Sequence, residues 1–174
     1  VGGGNSAGQA AVYLSNHARK VFLAVRADSL QRSMSTYLSR RIKMTPNVEV
    51  LLETEVLRMC GETELASVEL TQRRTGTKRT IETSTLFSFI GAVPHTDWLP
   101  PEIERDENQF VRTGAALADS PYWKIKRPPF LLETSRPGVF AAGDVRSGSV
   151  KRVASAVGEG SMAVQFVHEY LKEM

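Results

Sequence analysis

The beginning of the chain shows two patterns of apolar positions. Ala7, Ala11 and Leu14 fall at i, i+4 and i+7, which places them on one face of a helix predicted over residues 5–18. The uninterrupted apolar run Val21–Val25 has the length and composition of a strand buried in a parallel sheet. A helix that leads into such a strand predicts an α/β unit.

Beyond a second helix predicted over residues 33–42, the pattern changes to short strand-like segments separated by turn residues. These segments predict an antiparallel meander and span residues 48–52, 55–60, 65–72 and 78–82. Residues 85–90 form one more apolar run and predict a buried returning strand. The sequence therefore predicts an α/β fold of three layers (β/β/α), in which a parallel sheet is combined with an antiparallel meander.

Prolines divide the chain after this unit. The segment Pro94–Pro101 predicts a linker, so we expect two domains, residues 1–93 and residues 94–174. Residues 106–129 are polar and irregular, and no function is assigned to them. Regular structure is expected again at a strand over residues 139–142.

A final helix is predicted from about Lys151 to Lys172. One of its faces is apolar and must pack on something. The residues of this stripe are Val153, Val157, Gly160, Val164, Val167 and Leu171.

Composition excludes several classes of protein. With 41% hydrophobic and 24% charged residues, the chain is expected to be an ordinary globular protein. No apolar run approaches the roughly 20 residues of a membrane span, and no signal peptide is recognised, so a cytoplasmic protein without a membrane partner is expected. A net charge of +3 without a basic stripe argues against nucleic-acid binding. The lone Cys60 excludes an internal disulfide and is expected to be an ordinary buried cysteine, and no metal-ligand spacing is found.

The glycines at the start carry the first candidate chemistry. Gly2-x-Gly4-x-x-Ala7 fits the dinucleotide fingerprint, in which the first glycine makes the tight turn and the second lets the backbone approach a pyrophosphate. Asn5 or Ser6 is the expected helix cap. The free amides and the dipole of the helix start favour phosphate. A plain strand-to-helix turn is the alternative reading. No strand precedes the glycines, which suggests that an upstream part of the unit is missing.

The residue after the second strand bears on cofactor choice. An NAD enzyme usually has an acidic residue there, whereas this chain has Arg26, followed by Asp28 and Arg32. A guanidinium attracts a 2′-phosphate and a carboxylate repels it, so NADPH is favoured over NADH. The alternative is that Arg26 is a solvated strand end.

Residues 134–145 form the most specific segment. A Pro-Gly turn is followed by a strand of small residues and by Asp144, which is placed to accept hydrogen bonds from the hydroxyls of a ligand. Gly143 and the alanines before it let that ligand lie close to the backbone. Residues 151–154 open the last helix, whose N-terminal dipole would stabilise negative charge on a reduced flavin.

These motifs resemble, in order, the signatures of the thioredoxin reductase family. Residues 134–145 resemble its C-terminal FAD-binding signature, residues 2–7 its NADPH turn, and residues 89–96 its strand returning to the FAD domain. The resemblance implies a Rossmann-like FAD/NAD(P)-binding fold with FAD and NADPH as cofactors. Three further segments resemble a bacterial subgroup that is sometimes attached to a cyclic-nucleotide-binding domain, namely residues 33–38, 127–133 and 150–155.

The resemblance implies contacts residue by residue. For NADPH they are Gly2, Gly3, Gly4, Asn5, Ser6, Ala7 and Arg26, with Arg32 compensating for a second arginine that the family often has where this chain has Ala27. For FAD they are Gly143, Asp144, Lys151, Arg152, Val153 and Ala154. The family's Cys-x-x-Cys pair would lie upstream of Val1, so no catalytic residue is expected within this chain.

The function implied is thioredoxin-disulfide reduction, in which hydride passes from NADPH to FAD and on to a disulfide. Thioredoxin or another small redox protein would be the partner, and the full-length enzyme would be a homodimer. Two alternatives stay open: a cysteine-free relative such as a ferredoxin–NADP reductase, and a non-catalytic NADPH- and flavin-binding sensor. Since the family's N-terminal domain supplies the main FAD site, these 174 residues alone are expected to be inactive.

Overall fold

A computed structural model describes residues 1–173 and divides the chain into two compact units, Val1–Gly91 and Ala92–Met174. The first unit contains two helices and five strands: α1 Asn5–Leu14, β1 Val21–Ala24, α2 Thr36–Lys43, β2 Val48–Leu51, β3 Thr54–Cys60, β4 Ser67–Gln72 and β5 Lys78–Glu82. The second unit contains one long helix, α3 Val153–Lys172, and short 3-10 turns. The predicted fold class, Rossmann-like α/β with a parallel sheet and an antiparallel sheet, is confirmed.

Strands β1 and β2 form a parallel pair in which Val21 lies opposite Val48. The prediction that residues 48–52 belong to the meander was wrong. A helix, α2, connects the two strands, and a helical crossover brings the second strand back parallel to the first. Leu23 and Val25 pack with α1 and α2 to form the core on this side of the unit.

The meander consists of three antiparallel strands in the order β3-β4-β5. Its own small core is formed by Val68, Leu70 and Ile81, which all point to one face because side chains alternate along a strand. The register of β3 shifts between Val56 and Arg58, as in a β-bulge.

Residues 85–90 are neither a regular strand nor buried, so that prediction was wrong. The exposed fractions of Phe87 and Ile90 are 46% and 78%. The Val1 ammonium donates to the Phe87 carbonyl at 2.7 Å, and the Phe89 N–H donates to the Val1 carbonyl at 2.7 Å. This is the bonding of one parallel bridge, which does not continue into a ladder among the described residues.

A cavity of about 630 Å³ lies beside this segment, within the first unit. Its wall is largely apolar and includes Ala11, Phe22, Leu70, Ile81 and Leu86.

Both helices of the first unit differ from prediction at their ends. Helix α1 ends at Leu14 rather than residue 18, and its N-cap is Gly4 rather than Asn5 or Ser6. Helix α2 is capped by Ser35, whose hydroxyl accepts a hydrogen bond from the Leu38 N–H.

The second unit is built mostly from irregular backbone around Ile103, Val111, Leu117 and Leu132, which are all buried. The strand predicted over residues 139–142 is present only as one antiparallel bridge between Glu133 and Phe140. The bridge consists of hydrogen bonds from the Thr134 N–H to the Val139 carbonyl and from the Ala141 N–H to the Leu132 carbonyl, and the pairing stops where the chain enters the 3-10 turn of residues 143–145.

Helix α3 begins at Val153, two residues later than expected, and its apolar stripe is exposed rather than packed. The exposed fraction is 83% for Val153, 68% for Val157 and 59% for Val164. The one buried residue of α3 is Glu159. Within residues 1–173, no helix is long and apolar enough to cross a membrane.

Candidate functional site

The glycine turn is fixed by β1 on one side and by the segment around Phe89 on the other. Gly2 is buried, has a φ of +134°, and donates its N–H to the Ala24 carbonyl at 3.0 Å. A β-carbon at this position would collide with the Phe89 carbonyl oxygen and lie 2.9 Å from the Phe89 carbonyl carbon. Only glycine combines this backbone conformation with so close an approach.

The mouth of α1 leaves backbone donors unused. The first helical bond runs from the Gly8 N–H to the Gly4 carbonyl at 3.1 Å. Within residues 1–173, no acceptor is recorded for the amides of residues 3–7. An anion placed at this mouth would meet these amides and the positive end of the helix dipole.

Two serines that were not predicted to be site residues hold the turn in place. The Ser33 hydroxyl donates to the Gly3 carbonyl at 2.9 Å. The Asn5 side-chain oxygen accepts a hydrogen bond from the Ser35 N–H at 2.8 Å, so Asn5 ties α1 to the start of α2. Ser35 could have been recognised from the sequence as the cap of α2, because a serine directly before a helical pattern is typical of a helix cap.

The two arginines proposed for the 2′-phosphate differ in their surroundings. Arg26 is exposed two residues after the end of β1, and within the described residues it has no carboxylate partner. Arg32 is exposed as well, but its Nε lies 3.0 Å from the Asp28 carboxylate. Arg26 is therefore the better placed of the two to meet a phosphate.

In the second unit, Asp144 lies in a 3-10 turn formed by residues 143–145, and its carboxylate is exposed. Gly143 has a φ of +76° and is buried. The Val111 N–H donates to the Val145 carbonyl at 2.9 Å, and the Ser147 N–H donates to the Val111 carbonyl at 2.8 Å. The stretch 106–129, which had no assigned function, thus supplies a backbone support for this turn.

The segment before α3 meets the same turn. The Lys151 ammonium lies 3.2 Å from the Asp144 carbonyl oxygen and 3.8 Å from the centre of the Phe110 ring. Arg152 is the N-cap of α3, and the first helical bond runs from the Ala156 N–H to the Arg152 carbonyl. Within the described chain, no acceptor is recorded for the amides of Val153 and Ala154, so this helix start can also receive an anion.

Two buried carboxylates support this part of the unit, and neither was predicted. Glu159 accepts hydrogen bonds from Arg146 and from the Gly143 N–H. The bonds from Arg146, followed by that from Gly143, hold the pKa of Glu159 below its usual value, although burial acts in the opposite direction. The signal in the sequence was one charge in the otherwise uncharged run of residues 153–164.

Glu133 is fully buried and binds Arg127 in a bidentate pair, with oxygen–nitrogen distances of 2.7 and 2.8 Å. It also accepts the N–H groups of Gly138 and Phe130. Burial alone would raise the pKa of Glu133, but these hydrogen bonds outweigh it and hold the pKa below its usual value.

Cys60 lies in β3 and is half-buried, whereas an ordinary buried cysteine was expected. It is the only cysteine among these 174 residues.

Comparison with known proteins places these features in a family. A family model described as pyridine nucleotide-disulphide oxidoreductase matches residues 1–160. A thioredoxin reductase of Yarrowia lipolytica is 32% identical over 99% of this chain and 50% of its own length. The 34.2 kDa protein in the rubredoxin operon of Clostridium pasteurianum is 28% identical over 98% of this chain and 50% of its own length. The chain spans about half the length of the curated relatives it matches.

Solved structures of thioredoxin reductases are also similar to this chain. The thioredoxin reductase of T. acidophilum has a TM-score of 0.73 and 28% identity, over 99% of this chain and 51% of its own. That of Lactococcus lactis has a TM-score of 0.74 over 99% of this chain and 52% of its own, and at 23% identity it supports the fold alone.

Proposed function

Because the chain belongs to the pyridine nucleotide-disulphide oxidoreductase family, we propose that it is the NADPH-binding domain (residues 1–93) and the C-terminal FAD-binding segment (residues 94–174) of a thioredoxin-disulfide reductase-like flavoenzyme. Relatives named thioredoxin reductase match nearly the whole chain and support this proposal. The observation that carries it is the helix mouth at residues 3–7, whose amides have no described partner, with the unpaired Arg26 in the same unit.

The residues of the first unit fit NADPH. The amides of Gly3 to Ala7 would hold the pyrophosphate. A β-carbon on Gly4 would find its nearest neighbour 3.9 Å away, so the space in front of the turn is open. Arg26 would bind the 2′-phosphate, whereas Arg32 would first have to leave Asp28.

The residues of the second unit fit the flavin end of FAD. Asp144 would accept hydrogen bonds from the ribityl hydroxyls. Because Gly143 has no side chain, the ligand could lie close to the backbone at this point. The amides of Val153 and Ala154 would lie where negative charge develops. Lys151 and Arg152 would contribute positive charge beside them.

FAD, when bound, would accept a hydride from NADPH and pass two electrons to a disulfide. The residues of this chain would bind and orient the two cofactors. Cys60 has no second cysteine within these 174 residues with which to form the redox pair. For the whole protein we propose thioredoxin or another small redox protein as the electron acceptor. We also propose a homodimer, a cytoplasmic location and an attached cyclic-nucleotide-binding domain.

The role of Arg26 is testable through cofactor selectivity. In the natural protein that carries this sequence, Arg26→Glu is expected to raise the Kd for NADPH by about 10- to 100-fold, because a charge-assisted hydrogen bond is replaced by repulsion. The Kd for NADH should change by less than about threefold, since NADH has no 2′-phosphate. Calorimetric titration of both nucleotides measures the difference.

Arg19→Glu is the matched control, because Arg19 is also exposed but precedes β1, whereas Arg26 follows it. It should leave both affinities unchanged. Equal weakening of NADPH and NADH by Arg26→Glu would remove Arg26 from the 2′-phosphate site.

A further inference from the structure

Helix α3 reverses the usual pattern of burial. Its valines are exposed, and its one buried residue is Glu159, with an exposed fraction of 8%. Burying a carboxylate is costly unless hydrogen bonds and an opposite charge compensate for it. The position of Glu159 therefore depends on what it binds.

Glu159 binds two groups of one turn. Its Oε2 accepts the Gly143 N–H at 2.6 Å, and Arg146 approaches both carboxylate oxygens, at 2.5 Å through Nη2 and at 3.2 Å through Nε. Gly143 and Arg146 are the residues on either side of Asp144 and Val145. The Glu159 carboxylate therefore links the two ends of the turn that carries Asp144.

The turn and the helix are also in close contact at this point. A β-carbon on Gly143 would lie 3.1 Å from the Ala156 side chain, one turn of helix from Glu159. The Asp144 carboxylate and the start of α3 are the two elements proposed to contact the flavin. Glu159 belongs to α3 and accepts hydrogen bonds from the turn that carries Asp144.

We propose that Glu159 is a positioning residue of the flavin site, which fixes the distance between the Asp144 turn and the start of α3 through its bonds to Gly143 and Arg146. This inference rests on the proposed function, because it supposes that FAD occupies that site. Without the carboxylate, the turn keeps its backbone bonds to Val111 but loses these hydrogen bonds to α3.

Glu133 provides a control of the same kind. It is a buried carboxylate in an ion pair within the same unit, but its partners are Arg127, Phe130 and Gly138 rather than the Asp144 turn. A variant at Glu133 therefore reports what the loss of a buried ion pair does to FAD binding when the turn is left alone.

The test compares Glu159→Gln with Glu133→Gln in the natural protein that carries this sequence, after loading with FAD. We expect Glu159→Gln to raise the Kd for FAD by about tenfold, because the Asp144 turn loses its charge-assisted hydrogen bonds to α3 and is held less firmly. Glu133→Gln should lower the urea midpoint of unfolding but change the Kd for FAD by less than about twofold. Flavin fluorescence measures the affinity, and circular dichroism measures unfolding.

A second readout does not depend on flavin. In the natural protein without added FAD, the Gly143 amide proton should resonate downfield because it donates to a carboxylate, and Glu159→Gln should move it upfield. If Glu159→Gln fails to fold, Arg146→Lys keeps the charge, removes the two-oxygen contact, and should produce the same FAD defect.

Three outcomes would overturn the inference. The first is an FAD Kd of Glu159→Gln, or of Arg146→Lys in its place, that is no higher than that of Glu133→Gln. The second is a Gly143 amide resonance that does not move. The third is a wild-type protein that binds no FAD; this result refutes the proposed flavin site itself and is recognised by the missing visible flavin spectrum.

Discussion

Glu133→Ala is expected to lower the free energy of unfolding of the second unit by about 3–5 kcal/mol. The substitution leaves the Arg127 guanidinium, which is only one-fifth exposed, without its bidentate partner. It also removes the acceptor for the Gly138 and Phe130 amides, each of which then loses a hydrogen bond. Urea unfolding followed by tryptophan fluorescence measures the change, because Trp123 lies 5.4 Å from Arg127.

Glu173→Ala is the matched control, since Glu173 pairs with the same arginine at 2.6 Å but is 47% exposed. An exposed ion pair contributes little, so the loss should stay below about 1 kcal/mol. Similar losses from the two variants would contradict the idea that burial of the Glu133 pair makes it structurally important.

The lowered pKa of Glu133 fixes the direction of a pH dependence. A carboxyl group whose pKa is lower in the folded state binds protons more readily when unfolded, so it stabilises the fold above its unfolded pKa of about 4.3. This stabilisation is lost as the pH falls from that value through the folded pKa. The urea midpoint of the wild type should therefore fall on acidification below about pH 5, and more steeply than that of Glu133→Gln.

The second large effect is expected at the glycine turn. Gly2→Ala should unfold or severely loosen the first unit, because the new β-carbon would collide with the Phe89 carbonyl and the φ of +134° is strained for alanine. The backbone strain alone is about 1–3 kcal/mol, and the collision adds to it. Thermal unfolding by circular dichroism measures the loss.

Gly4→Ala separates folding from binding at the same turn. The φ of Gly4 is −86°, and the nearest atom to its β-carbon would be 3.9 Å away, so the unit should fold normally. Because the methyl group would stand where the pyrophosphate is proposed to approach, NADPH affinity should nevertheless fall. A stable Gly2→Ala with unchanged nucleotide binding would show that the turn is not built as described.

The sequence predicted those helices and strands whose formation depends on neighbouring residues in the chain. Helices α1 and α3 and the strands of the meander were placed within a few residues, since apolar spacing and turn residues report directly on them. The partner of β2 was not predictable from its own residues, because strand pairing depends on the crossover through α2. The run 85–90 was predicted to be a buried strand, but it forms one bridge, to Val1, and leaves Phe87 and Ile90 exposed.

The candidate site divides in the same way. Glycines and charged residues in short motifs identified the turn at Gly2 and the segment around Asp144. The supports of those motifs, Ser33 and Glu159, come from residues 16 or more positions away, and only the folded chain shows what they touch. From the sequence alone, a glutamate in a helix is expected to lie on the surface, so nothing predicted that Glu159 would be buried.

The edge of β1 that faces away from β2 holds the glycine turn. Along β1, residues 21, 23 and 25 direct their backbone groups toward β2, so those of Phe22 and Ala24 face the opposite edge, where the Gly2 amide meets Ala24. The bond that anchors the turn to the strand is therefore made by main-chain atoms alone. Substitutions of the Ala24 side chain should leave this anchor in place, unlike Gly2→Ala, which displaces the amide that donates it.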